Sequence, residues 1–178
     1  IAVALWAKPA TLPGINGYVL VCKGSDFDTT TSEWFISASN SGGPFNIYDI
    51  EIFSAGSVTR SAYFFENDVV VGTWTLIIGW WDSVAQKAHL KLNNRTTQNG
   101  NAFAHTINSL PAADFNVGSL AGSPGYAWDG AIDALVFWKR TLTEADCAEL
   151  YNSGNGINKS QASAALLVGC TSWWDMQE

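Results

Sequence analysis

Apolar and polar residues alternate with a period of two in short runs, and Gly, Asn, Ser and Pro punctuate the gaps between them. The pattern predicts strands over Ile1–Ala7, Tyr18–Lys23, Glu33–Ala38, Phe45–Phe53, Val58–Phe65, Thr73–Trp81, Lys87–Asn93, Asp114–Ser119, Ala131–Lys139 and Ala165–Trp174. In the fourth run Phe45, Ile47, Asp49 and Glu51 take one face, and Asn46, Tyr48, Ile50 and Ile52 take the other. The pair Asn93-Asn94 suits a tight turn, because Asn tolerates positive φ. One helix interrupts the strands. Thr143 is its expected N-cap, Glu144 and Asp146 favour its positive end, and Gly154 stands where a C-terminal cap belongs. Strands without a βαβ rhythm imply antiparallel pairing, and the length suits two sheets packed face to face, an all-β sandwich with one short helix near the C-terminus.

Composition narrows the class. The chain has 178 residues, the size of one domain, with 47% hydrophobic and only 14% charged residues. Domain organisation is therefore read as one unit over 1–178, with 155–164 a connector and 165–178 a terminal strand. Nine basic residues against sixteen acidic ones leave a formal charge of −7. That balance argues against nucleic acid and anionic membrane as partners. No apolar run reaches the roughly 18 residues of a membrane helix, so no membrane insertion is expected. Position 1 is Ile rather than Met, so the chain is expected to be part of a longer product whose targeting information lies elsewhere. Three cysteines, Cys22, Cys147 and Cys170, are odd in number and widely spaced. They fit no metal spacing or disulfide framework and read as buried free thiols.

The segment DGAIDALVFWKRTLTEADCAELYNSG, Asp129 to Gly154, resembles the closing part of laminin-G-like domains in the concanavalin A-like lectin/glucanase superfamily. ALWAKP (Ala4–Pro9), VCKG (Val21–Gly24), EWFIS (Glu33–Ser37) and GTWTLIIGWWDS (Gly72–Ser83) agree with it. The resemblance implies a jelly-roll sandwich and leaves function open, because this fold carries lectins, hydrolases, adhesion modules and spacers. The family's opening strand is missing before Ile1, while SWWDMQE (Ser172–Glu178) looks like that strand. Either a tandem array has been cut out of register, or Ala165–Asp175 closes the sheet in this molecule or in a neighbour.

Candidate chemistry is sparse. Glycanases need two carboxylates set across a cleft; the nearest approach, Asp49-Ile50-Glu51, reads as solvated outer-strand carboxylates. His89 and His105 sit in polar surroundings without a catalytic motif, and no catalytic residue is assigned. The resemblance also raises calcium at the sandwich rim. The loop Gly24–Thr29 offers Asp26 and Asp28 as ligands, with Asp129 and Asp133 as further candidates, or it is an ordinary polar loop. Asp133 is expected to bond nearby backbone amides or Arg140. Strand alternation sends Trp80 and Trp81 to opposite faces, and likewise Trp173 and Trp174. Trp6, Trp34, Trp74 and Trp138 are assigned to the core. Trp81, Tyr126 and Trp128 are the candidate surface rings for stacking on a sugar. The sequons at Asn94 and Asn158 decide nothing. Two functions remain: a non-catalytic extracellular carbohydrate-binding or adhesion module, or a structural subunit of a fibre or particle joined head-to-tail to a neighbouring copy.

Overall fold

The structure is a computed structural model that describes residues 1–14, 17–27, 30–40, 45–54, 58–63, 67–102, 106–120 and 123–175. The expected all-β sandwich is what forms. Its strands are β1 (Ala2–Pro9), β2 (Tyr18–Gly24), β3 (Ser32–Ser39), β4 (Ile47–Ser54), β5 (Val58–Tyr63), β6 (Thr75–Asp82), β7 (Lys87–Leu92), β8 (Gln98–Asn99), β9 (Phe115–Val117), β10 (Gly130–Trp138) and β11 (Cys170–Trp174). They build a six-stranded sheet in the order β11-β10-β1-β6-β7-β8 and a five-stranded sheet in the order β5-β4-β3-β2-β9. Neighbouring strands run antiparallel.

Alternation places one set of side chains between the sheets. Leu5, Ile77, Trp81, Leu90 and Phe137 from the larger sheet meet Leu20, Trp34, Ile36, Tyr48 and Ile50 from the smaller. Burying each such side chain contributes about 1.5–3 kcal/mol. Gly79 belongs to this layer because a Cβ there would stand 2.7 Å from Ile50 Cδ1. In β2 a register shift between Val19 and Val21 puts both Leu20 and Val21 into the interior. Asn93 adopts φ 51°, as its place in the turn requires, and its Oδ1 accepts from the Leu76 amide at 2.8 Å.

The outer face of the six-stranded sheet is also buried. Ala2, Ala4, Leu76, Ile78, Trp80, Val136 and Trp138 pack under Leu142, Cys147, Leu150 and Leu166. The cover is a helical hood formed by α1 (Glu144–Tyr151) and α2 (Ala164–Leu167), with short 3₁₀ turns between them. Thr143 caps α1 through a capping box with Asp146. The helix ends two residues earlier than expected, at Asn152 in the left-handed region with φ 43°, and Gly154 follows in a 3₁₀ turn.

The terminal segment departs from expectation. Ala164–Leu167 is helical, capped by the Ser163 hydroxyl, and only Cys170–Trp174 is strand. A short apolar run does not distinguish helix from strand by itself. Here the Leu166 side chain completes the hood, and its carbonyl accepts from the Trp138 indole at 2.8 Å. Strand β11 pairs with β10 of its own chain. No helix among the described residues is long and apolar enough to cross a membrane.

Candidate functional site

Two of the expected surface rings are buried. Trp81 is 5% exposed and lies between the sheets; its neighbour Trp80 is the outward residue, covered by the hood and stacked on His89 at 4.9 Å. Both faces of this strand are covered, so alternation separated the two rings without exposing either. Trp128 is 9% exposed, packed edge-on to Tyr18, with its indole N–H donating to the Ala131 carbonyl at 3.2 Å. Tyr126 is half-buried against Phe27, 5.1 Å between ring centres, where its loop folds over the outer face of β2 and β3. These rings form no common binding surface.

Of the rings assigned to the core, Trp34 and Trp138 are buried. Trp74 is 38% exposed, because it precedes β6 where the hood does not reach. Trp6 is half-buried on the outer face, stacked on Tyr151 of α1 at 6.2 Å. Cys22 and Cys147 are buried free thiols, and burial pushes them up to about 11 and about 12. Cys170 is free and half-buried.

The carboxylates divide in the same unexpected way. Asp49 is 8% exposed rather than solvated. Burial first, then the neighbouring Glu51 charge, raises its pKa, against a hydrogen bond from the Ser37 hydroxyl. Burial raises Glu51 as well. Both project from one strand, two positions apart. Asp28 and His105 lie outside the described residues. Asp26 accepts from the Phe27 amide at 2.8 Å, and Asp129 accepts from the Thr11 hydroxyl at 2.8 Å. The described part of the 24–29 loop offers one carboxylate, already engaged, against the six to eight oxygens calcium takes. Among the described residues no group of three or more His, Cys, Asp or Glu side chains is placed to hold a metal.

A different site emerges where the hood ends. A cavity of about 320 Å³ lies between Trp6 of β1, Trp74, and Asp133 of β10, and is closed by Asn158, Gln161 and Asp175. That volume is at the lower end for small-molecule sites. A β-bulge aims one wall. The β1–β10 register shifts between Ala4/Val136 and Trp6/Asp133, and Ala134 takes φ 47°, a left-handed conformation costly for a residue with a Cβ. Asp133 Oδ1 accepts from the Ala134 amide at 2.6 Å, as expected of a structural carboxylate, while Arg140 is engaged elsewhere, with Asp146. On β11, the strand paired with β10, the Trp173 indole donates to Asp175 Oδ1 at 2.8 Å. Gly156, at φ 64°, lies against Trp6, where a Cβ would come 3.0 Å from the indole nitrogen. The arrangement combines two indoles with carboxylate and carboxamide groups, the chemistry that stacks on a sugar's C–H face and bonds its hydroxyls.

Sequence reasoning missed this site. It placed Trp6 and Trp74 in the core and treated 155–164 as a connector. A Trp preceding a strand next to a Gly turn was the available signal for Trp74. Nothing local marked the Asn158–Gln161 turn, which reaches the site only through the fold.

A second cavity, of about 220 Å³, opens between Phe115, Phe137 and Trp174 at the edge shared by β9 and β11. Its walls are mostly aromatic, and its charged pair, Lys23–Glu33 at 2.8 Å, is self-neutralised.

Residues 1–148 match the Laminin_G_3 family of the concanavalin A-like lectin/glucanases superfamily. The chain belongs to that family. Its closing motif now has a physical explanation. Arg140 donates to both Asp146 oxygens at 2.7 and 3.0 Å and to the Val168 carbonyl at 2.7 Å, tying the end of β10 to both helices of the hood. No curated protein matches this laminin-G-like domain in sequence. Among solved structures it resembles a provisionally named carbohydrate binding protein from Bacteroides ovatus, with TM-score 0.65 and 12% identity, over 98% of this chain and 44% of that one. It resembles the CBM40 of a Ruminococcus gnavus IT-sialidase bound to α2,3-sialyllactose, with TM-score 0.61 and 12% identity, over 82% and 79% of the two chains. It also resembles domain 4 of an extracellular arabinanase from Geobacillus stearothermophilus in complex with arabinotriose, with TM-score 0.55 and 19% identity, over 81% and 62%. At these identities the likeness is one of fold. The domain spans less than half of the Bacteroides chain.

Proposed function

We propose that this laminin-G-like domain is a non-catalytic carbohydrate-binding module of an extracellular protein, and that it binds glycans in the cavity between Trp6 and Trp74. The observation that carries the reading is the half-exposed Trp74 beside a carboxylate, Asp133, that a strained β-bulge orients into the same space. Solved neighbours of the fold include modules whose names associate them with glycans, both acidic (sialyllactose) and neutral (arabinotriose). Titration calorimetry against an oligosaccharide panel tests the proposal. The parent protein is expected to bind at least one sugar, and Trp74→Ala to weaken it about tenfold, the value of a stacked ring of about 1.4 kcal/mol. Binding that survives Trp74→Ala unchanged moves the site elsewhere.

A further inference from the structure

Resting on that reading, we infer that the cavity selects neutral glycans and rejects anionic ones, with Asp133 and Asp175 as the discriminating groups. Both carboxylates line one cavity, Asp133 on β10 and Asp175 just past the end of β11, the strand paired with β10. Asp133 accepts from the Ala134 amide and Asp175 from the Trp173 indole. A carboxylate accepts from a sugar hydroxyl but repels a sugar that brings its own negative charge.

The groups that would reverse this preference are engaged or outside the cavity. Recognition of a sugar carboxylate calls for Arg, Lys or a cluster of unspent backbone amides, and no basic side chain is among the described residues lining the cavity. Lys8 sits with its ammonium 5.0 Å from the centre of the Trp74 ring and is not a lining residue. The 3₁₀ turn Lys159–Gln161 is closed upon itself. Asn158 Oδ1 accepts from both the Ser160 amide and the Ser160 hydroxyl, and Gln161 Oε1 accepts from the Asn158 amide. The Asn158, Ser160 and Gln161 backbone amides are thus satisfied before any ligand arrives. The formal charge of −7 adds a long-range bias of the same sign.

The test uses matched sugars that differ in charge: lactose with 3′-sialyllactose, and galactotriose with trigalacturonate, beside neutral arabinotriose. Each is titrated into the parent protein and into Trp74→Ala, which reports whether binding is in this cavity. The expected result is Trp74-dependent binding of a neutral sugar at least about fivefold tighter than its acidic partner, the scale of one like-charge contact in a solvated site. Asp133→Asn with Asp175→Asn should narrow that ratio. Raising the salt concentration should narrow it in the unmutated protein too, which keeps the test decisive if the double variant does not fold. Equal or tighter Trp74-dependent binding of the acidic partner overturns the charge selection and leaves the glycan-binding proposal standing. Failure of every sugar to bind overturns both.

Discussion

The two outer faces of the sandwich handle buried charge in opposite ways. On the six-stranded sheet the hood brings a partner to two basic groups, Lys91 and Arg140. Asp146 faces Arg140, and Lys91 reaches Glu144 at 2.7 Å and the Arg95 carbonyl at 2.6 Å. Burial alone would raise Asp146, but the Arg140 guanidinium and the Thr143 amide and hydroxyl together outweigh it and hold the carboxyl at about 2. On the five-stranded sheet the buried Asp49 lies two positions from the half-buried Glu51, and the influences on Asp49 are desolvation and a like charge, relieved in part by Ser37. The first face is a structural closure whose charges stabilise it; the second retains carboxylates whose charge opposes folding. At the hood's margin, around Trp6 and Trp74, indoles, carboxylates and carboxamides are left together around a cavity.

The strongest challenge to this contrast is to hollow out the hood. Leu150→Ala should cost about 3 kcal/mol in urea unfolding, because Leu150 is buried against the outer sheet face and leaves a cavity. A loss below about 1 kcal/mol would make the hood an appendage rather than part of the core.

Asp146→Asn should cost about 2 kcal/mol near neutral pH. The folded pKa is depressed, so its stabilisation is complete above the ordinary carboxylate range near pH 4 and disappears as the pH falls through about 2. Parent and variant should therefore converge in acid.

Asp49→Asn should show the opposite sign. A raised folded pKa means that the parent loses stability as the pH climbs from the ordinary carboxylate range through the folded value. The variant, which keeps an acceptor for Ser37, should match the parent near pH 4 and exceed it by at least about 1 kcal/mol at pH 8. A variant less stable at pH 8 would assign Asp49 a favourable ionised role.

The smallest expected effect is Trp74→Ala, within about 0.5 kcal/mol in stability, since the ring is partly exposed outside the hood. A large loss would return Trp74 to the core and remove one wall of the proposed site.

Most of the strand pattern could be read before folding was considered. The alternation of Tyr48, Ile50 and Ile52 with Asp49 and Glu51 assigns the inner face of β4 correctly, and Thr143 and Asp146 announce α1. Family membership was equally readable, since Asp129–Gly154 carries a contiguous motif. The errors share one origin. Alternation puts Trp80 and Trp81 on opposite faces but is blind to a hood arriving from residues 142–168, so Trp81 looked exposed when the hood had covered its partner. The run Ala165–Val168 looked like strand because the groups that bond its helix, Trp138 and Arg140, are distant in sequence.

Local spacing in this chain dictated the two sheets, the side chains between them and the first helix, because backbone geometry enforces a period that neighbouring residues alone can express. Which outer face would be sealed, which carboxylates would gain a cation, and where a cavity would stay open depended on long-range docking of the C-terminal segment. Coverage and charge pairing arise between residues far apart along the chain, so no period within a strand can encode them.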